Sequence, residues 1–353
     1  MNKTAIASAL LTLSLGANSF AVADEAKEIA LLNERIEKLE AKKEASQWLD
    51  NVTLSGAVEV EASYTDPDSG SSESDIVVAT AEFGVAAAIT DNIETNIVFL
   101  YEEDGDGVEV DVATMGYQLN DSGFSFLLGQ DYVPFGSYET HLVNDTLALE
   151  IGEARETAFA VNYEAGSFGG SFYIFNGDQD EGGHQTIQNF GARIGLSGDN
   201  FTVGADYISN LADSDSLQER EDGFDYGYDS GEDAVAGASF YASANISNIT
   251  LLAEYLTALD ELAVDGANSE PEAMQLEAAI EMGAFTYALS YQETDEALFI
   301  DLPEERISFG VSTEIFNGIG LGVQLQRDSD YGTSDGGTGD DTDSVVVQLA
   351  AEF

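Results

Sequence analysis

The chain has 353 residues, with 67 aspartates and glutamates against 11 lysines and arginines, for a formal net charge of −56. That balance excludes a nucleic-acid binder, because phosphate recognition needs a basic face. With no cysteine the chain has neither disulfide staples nor thiolate metal sites, and its length suffices to bury a large core or close a large barrel without them.

Residues 1–23 read as a secretory signal peptide. Lys3 supplies the positive start, Ile6–Leu15 an apolar run too short to span a bilayer, and Ala21-Val22-Ala23 a small-x-small cleavage site. Export is therefore expected, with cleavage after Ala23. Residues 24–47 read as a periplasmic helix. Ile29, Leu32, Ile36 and Leu39 fall at coiled-coil spacing, with charged residues on most other faces. Two heptads are marginal alone and gain from an oligomer beneath them, so a homotrimer is expected. The alternatives are a solvated amphipathic helix lying on the rest of the chain, or a structural tether in which the coiled coil crosses the periplasm toward the cell wall, for which about 20 helical residues reach only ~30 Å.

From Val52 the period changes to two. Val52, Leu54, Val58, Val60, Ala62 and Tyr64 share one face, while Thr53, Ser55, Glu59, Glu61 and Ser63 share the other. A strand of about 13 residues at ~3.3 Å each suits a tilted membrane crossing. The pattern recurs near 52–64, 76–89, 93–101, 108–118, 124–130, 157–164, 171–175 and 187–197. It continues near 201–209, 234–246, 249–257, 273–282, 285–292, 305–315, 319–327 and 344–353. The fold class is all-β, a transmembrane antiparallel barrel of sixteen strands over 48–353, in contact with outer-membrane lipid.

Connector lengths sort in the same way. Short turns at 90–92, 119–123, 165–170, 198–200, 247–248, 283–284 and 316–318 alternate with long acidic loops. Periplasmic turns and external loops produce this alternation. Phe124, Phe201 and Phe285 open strands after short turns, whereas Tyr64, Tyr101, Tyr207, Tyr255 and Tyr291 close strands before long loops. Two aromatic girdles are predicted. The last strand alternates Val345, Val347, Leu349, Ala351 and Phe353 on one face.

The inward face predicted to line the lumen carries Glu59, Glu61, Glu82, Glu94, Glu109, Asp111, Arg193, Asp206, Glu277, Glu281, Arg306 and Glu314. So many carboxylates cannot be dehydrated together without partners, so a water-filled, acidic lumen is expected. Sixteen strands leave room for one.

One stretch breaks the alternation. Residues 131–156 form the third long loop and mix Val, Leu, Tyr and Phe with Asp131, Tyr132, Pro134, Phe135, Glu139, His141, Asp145, Glu150, Glu153, Arg155 and Glu156. Its length and apolar content mark a functional loop. In porins of this strand number the third external loop folds inward and narrows the barrel, so these residues are expected to form a constriction.

Val52–Tyr64 (VTLSGAVEVEASY), Gly129–Thr140 (GQDYVPFGSYET), Asp145–Thr157 (DTLALEIGEARET) and the short coiled coil resemble the LbtU-type siderophore porin family. The resemblance implies a sixteen-stranded outer-membrane barrel that takes up a ferric siderophore without a plug domain. Gly129-Gln130, Pro134-Phe135-Gly136 and Glu139 also resemble phosphate-selective porins. That group's anion path needs basic residues, whereas Arg155, Arg193, Arg220, Arg306 and Arg327 are the only ones beyond Lys43. A general cation-selective diffusion porin for small solutes is the second reading. Catalysis would rest on His141 or His184, each a lone loop histidine, so no enzyme and no cofactor is expected. Residues 328–343 are acidic but lack an ordered calcium-loop pattern, and no metal site is expected.

Overall fold

A computed structural model describes residues 51–103, 105, 107–177, 187–218, 234–264 and 267–353, together with Arg35 and Lys38. Arg35 and Lys38 are helical. The predicted signal peptide, the rest of the predicted coiled coil, His184 and Arg220 lie outside the described residues. Residues 1–52 and 53–353 are separate units by contact density.

The alternating segments form strands. They are β1 (Val52–Pro67), β2 (Glu73–Thr90), β3 (Ile93–Tyr101), β4 (Glu109–Gln118), β5 (Phe124–Tyr132) and β6 (Arg155–Ala165). Then come β7 (Phe168–Phe175), β8 (Asn189–Gly198), β9 (Phe201–Ile208), β10 (Gly237–Ile246) and β11 (Ile249–Ala258). After a separate hairpin of β12 (Leu262–Val264) and β13 (Ala267–Ser269) follow β14 (Glu272–Met282), β15 (Phe285–Asp295), β16 (Glu305–Phe316), β17 (Ile319–Ser329) and β18 (Asp341–Glu352).

Sixteen of these strands close into one antiparallel barrel in chain order, and β1 pairs with β18 from Ala57–Glu352 to Pro67–Thr342. Gly56 and Phe353 exchange backbone bonds of 3.0 and 3.1 Å just beyond that ladder. Closure satisfies the backbone of every strand, which a lipid environment demands. The expected count of sixteen holds, but several strands run past their predicted ends. β1 continues to Pro67, β2 begins at Glu73 and β18 at Asp341. Alternation of polarity stops at the membrane edge; ladder hydrogen bonds do not, so Asp66 pairs with Asp343 beyond the apolar belt.

The outer surface is the apolar face. Leu54, Val58, Phe83, Leu128, Phe172, Leu276, Leu289, Leu325 and Leu349 are all exposed. Phe124, Phe201 and Phe285 are exposed beside short turns, and Tyr64 and Tyr255 toward the opposite ends. A second apolar core lies on the other face of the sheet. Phe135, Leu147, Ile151, Tyr173, Phe175, Ile208, Leu211 and Leu256 are nearly inaccessible.

Candidate functional site

The segment joining β5 to β6 accounts for that second core. It contains one short helix, α1 (Leu147–Gly152), started by Thr146, whose hydroxyl accepts from the Leu149 N–H at 3.1 Å. The rest is irregular, and its amides find acceptors on distant strands. Gly136 N–H donates to Asp206 on β9 at 2.9 Å. Ser137 and Tyr138 N–H both donate to Glu254 on β11 at 2.7 Å. His141 N–H and the Thr140 hydroxyl donate to Glu277 on β14 at 2.8 and 2.6 Å. Leu147 N–H reaches Gln292 on β15, and Val143 N–H reaches Gln324 on β17, both at 2.7 Å.

These five acceptors stand on the face opposite exposed Val203, Tyr255, Leu276, Leu289 and Val323 of the same strands. A segment that meets the same face of strands from β9 to β17 lies inside the barrel. Its tip rests where the wall is flattened by glycine. A Cβ on Gly310 would sit 2.6 Å from Leu142, and one on Gly322 would sit 2.8 Å from Val143. Residues 209–218 fold in beside it. Leu211 and Leu217 are buried, Asp215 N–H donates to the Glu153 carbonyl at 2.8 Å, and Arg155 N–H donates to Asp215 at 3.0 Å.

The anchoring carboxylates are buried and saturated. Asp206 accepts from Gly136 N–H and twice from Arg193, at 2.9 and 2.7 Å. Arg193 also donates to the Gly136 carbonyl and lies 5.5 Å from the centre of the Tyr241 ring. Glu254 accepts from two amides and from the Ser239 hydroxyl at 2.9 Å. Glu277 lies 2.9 Å from the His141 ring nitrogen as well as accepting the two bonds above. Carboxylates supplied with such donors need no water. Of the carboxylates expected to line a hydrated lumen, Asp206 and Glu277 are instead sealed by protein donors.

The remaining predicted residues fall into other groups. Glu59 and Glu61 on β1 share the Gln348 amide, at 3.2 and 2.9 Å. The carboxylates of Glu82 and Glu94 accept no hydrogen bond from protein among the described residues, and Glu82 is half-exposed and Glu94 exposed. Arg155 pairs with Glu109 at 2.7 Å and Asp111 at 3.2 Å, and the Tyr132 hydroxyl donates to Asp111 at 2.8 Å. Arg306 pairs with Asp328 at 2.9 Å. Glu314 accepts the Gly318 N–H at 2.9 Å and fastens its own turn, while Glu281 is exposed beside the turn at Gly283.

On the segment, Phe135 is buried and Pro134 half-buried. Glu139, His141 and Asp145 are exposed, Glu150 and Glu153 half-buried, and Asp131 and Glu156 pair across β5 and β6. Burial pushes Glu153 up to about 7, assisted by Asp215, Asp145 and Glu150. The hydrogen bond to Glu277 raises the His141 pKa, partly opposed by burial.

Sequence reasoning passed over Glu254 and Gln292. The missed signal was apolarity on both faces near the outer ends of strands: Tyr173 and Phe175 on β7, Ile208 on β9, Leu252 and Leu256 on β11. An inward apolar residue needs a cover, and a polar one among such residues needs a partner from that cover.

No family model matches the chain. It is 24% identical to a UPF0422 protein of Legionella pneumophila strain Paris over 86% of its own length and 66% of that relative, so it spans a little under two thirds of that protein. A UPF0422 protein of Coxiella burnetii is 25% identical over 80% of this chain and 65% of the relative. Among solved structures, OmpF of Salmonella typhi in complex with daunomycin superposes with a TM-score of 0.66 at 16% identity, covering 86% of this chain and 98% of that one. An anion-selective porin from Comamonas acidovorans gives 0.64 at 14% identity, with 86% and 99% covered. The trimer form of OmpT from Vibrio cholerae gives 0.56 at 11% identity, with 86% and 100% covered. The chain has the fold of these outer-membrane porins.

Proposed function

We propose that the chain is an outer-membrane porin with a water-filled, acidic lumen, narrowed by residues 131–156. The carrying observation is the segment inside the closed barrel, held by backbone bonds to side chains of β9, β11, β14, β15 and β17. A tether has no need of a buttressed internal loop; a channel that must hold a fixed width does. The role is passage rather than catalysis. A net charge of −56 favours cations over anions in the channel.

In this reading residues 1–23 direct export and are removed, residues 24–47 form a periplasmic helix, and residues 48–353 cross the outer membrane as a trimer. Mass spectrometry of the exported protein checks the cut after Ala23. Planar-bilayer recording tests the channel: cation-selective open steps are expected, in triplets for a trimer. A folded barrel without conductance refutes it. Removing Val133–Asn144 is expected to raise unit conductance, and an unchanged value removes the constriction.

Ferric-siderophore uptake is the more specific reading. What favours it is that two stretches carrying the family resemblance, Gly129–Thr140 and Asp145–Thr157, make up most of the inward segment. Deleting the gene in iron-starved cells is expected to slow ferric-siderophore uptake. Unchanged uptake across several siderophores leaves the general cation porin.

A further inference from the structure

The chain has two histidines, and the tip of the inward segment presents one of them, His141. Its ring is held from one side only. The Glu277 side chain on β14 is fully buried and accepts the His141 N–H at 2.8 Å and the Thr140 hydroxyl at 2.6 Å. The same carboxylate lies 2.9 Å from His141 Nδ1. An ionised carboxylate can only accept, so in the neutral ring the hydrogen sits on Nδ1 and the lone pair on Nε2. Nε2 has no hydrogen-bond partner among the described residues, and the side chain stays 34% exposed.

The ring borders a hollow. About 390 Å³ lies below the tip, toward the short turns, against His141, Leu142, Ser312, Glu314, Gly320 and Gln348. Gly310 and Gly322 make way for Leu142 and Val143, but a Cβ on Gly320 would meet nothing within 4 Å. The hollow is therefore wider than seating the tip requires. Glu281 stands on the inward face of β14 four residues beyond Glu277, and Glu139 lies two residues before His141; both act electrostatically on the ring. Among the described residues no group of three metal-binding side chains occurs, so the protein alone does not enclose a bare ion. An ion that keeps waters or small ligands of its own needs only one good protein donor. An imidazole oriented by a carboxylate is the usual form of that donor.

We propose that His141 Nε2 is a direct ligand for a divalent transition-metal ion, of the class of Ni²⁺, Zn²⁺ and Cu²⁺, that enters the hollow against β15–β18. Water or the ion's own small ligands fill its other positions. Imidazole discriminates among cations: Mg²⁺ and Ca²⁺ take oxygen donors, whereas this class gains from nitrogen. Glu277 is a positioning residue, since it fixes the ring and leaves Nε2 free. Glu139 and Glu281 draw cations to the ring without having to ligate them. A proton on Nε2 competes with the metal, so the ion is held less well as pH falls. The site needs only the fold; its effect on current rests on the porin reading.

The full-length protein is reconstituted in planar bilayers and titrated with NiCl₂ or MgCl₂ at constant ionic strength. Ni²⁺ is expected to block current at concentrations where Mg²⁺ does not. His141→Gln, which keeps the backbone N–H that Glu277 accepts, is expected to raise the half-blocking Ni²⁺ concentration at least about tenfold. His184→Gln is expected to leave it unchanged. A wild-type current that responds alike to the two ions overturns the site, and so does equal Ni²⁺ block in wild type and His141→Gln. If His141→Gln does not fold, the wild type decides. Its half-blocking Ni²⁺ concentration must rise from pH 8 to pH 6, and a block independent of pH overturns the site. Wild-type protein that folds without conducting removes the porin reading and leaves the site to be tested directly. One equivalent of Cu²⁺ on the folded protein should then show nitrogen coupling by electron paramagnetic resonance that His141→Gln abolishes. A spectrum unchanged by that substitution overturns the site.

Discussion

The two inner walls of the barrel are built by opposite rules. From β7 to β14 the inward face carries Tyr173, Phe175, Ile208, Leu252 and Leu256 around isolated carboxylates, and residues 133–154 cover them. From β18 through β1 to β3 it carries Gln348, Glu59, Glu61, Glu82 and Glu94, which stay half-exposed or exposed. The covered wall behaves like the core of a soluble protein turned inside out, where a buried charge survives because a folded loop supplies its donors. The open wall leaves its carboxylates half-exposed or exposed, with few protein donors. A glutamate therefore means different things on the two walls, sealed by protein donors on one and left open on the other.

Substitutions should separate the walls, beginning with the largest effect. Phe135→Ala empties the middle of the covered wall and is expected to cost about 3–5 kcal/mol in reversible urea unfolding in lipid. Glu254→Gln keeps the shape but weakens the acceptor of two amides and a hydroxyl, for a loss of about 1–3 kcal/mol by the same titration. A loss as large for Glu94→Gln would erase the distinction between the walls.

The next effect is set by pH. Glu153 sits near 7 in the folded chain against an ordinary value near 4.5, so the folded state holds the extra proton between those values. Stability from this group is greatest at the acid side of that window and falls as pH rises through 7. His141 has a raised pKa, so its contribution is likewise present below its ordinary 6.5 and lost as pH climbs through the folded value. Both groups favour a seated segment at mildly acid pH. Hydrogen exchange of residues 133–154, corrected for intrinsic rates, should show stronger protection at pH 6 than at pH 8. Glu153→Gln should flatten most of that difference, and an unchanged profile would exclude Glu153 as its source. The smallest effect is Glu94→Gln on the open wall, expected to stay within about 0.5 kcal/mol in unfolding.

Much of this was legible in the sequence, for reasons that can be named. Strand number followed from alternation, because one face meets lipid and the other does not, as in β1. The inward loop followed from the loss of alternation after Gln130. What could not be read was the partner of each inward charge. Asp206 and Glu59 look alike on their strands, polar between apolar neighbours. Only the path of a distant segment decides that Asp206 meets the Gly136 amide while Glu59 stays half-exposed beside Gln348. Strand ends were misplaced for a related reason. Composition marks where lipid stops, and the ladder at Asp66–Asp343 stops later.

The segment hangs on the barrel chiefly by its main chain. Gly136, Ser137, Tyr138, His141, Val143 and Leu147 all donate through N–H groups that every residue except proline possesses. At these bonds the wall recognises the course of the chain, while the buried side chains of Phe135, Leu147 and Ile151 supply the packing. Exposed positions such as Glu139 and Asp145 can therefore be exchanged without moving the loop. The barrel is a fixed frame whose hold on the segment leaves those exposed side chains free to vary over generations while the frame stays unchanged.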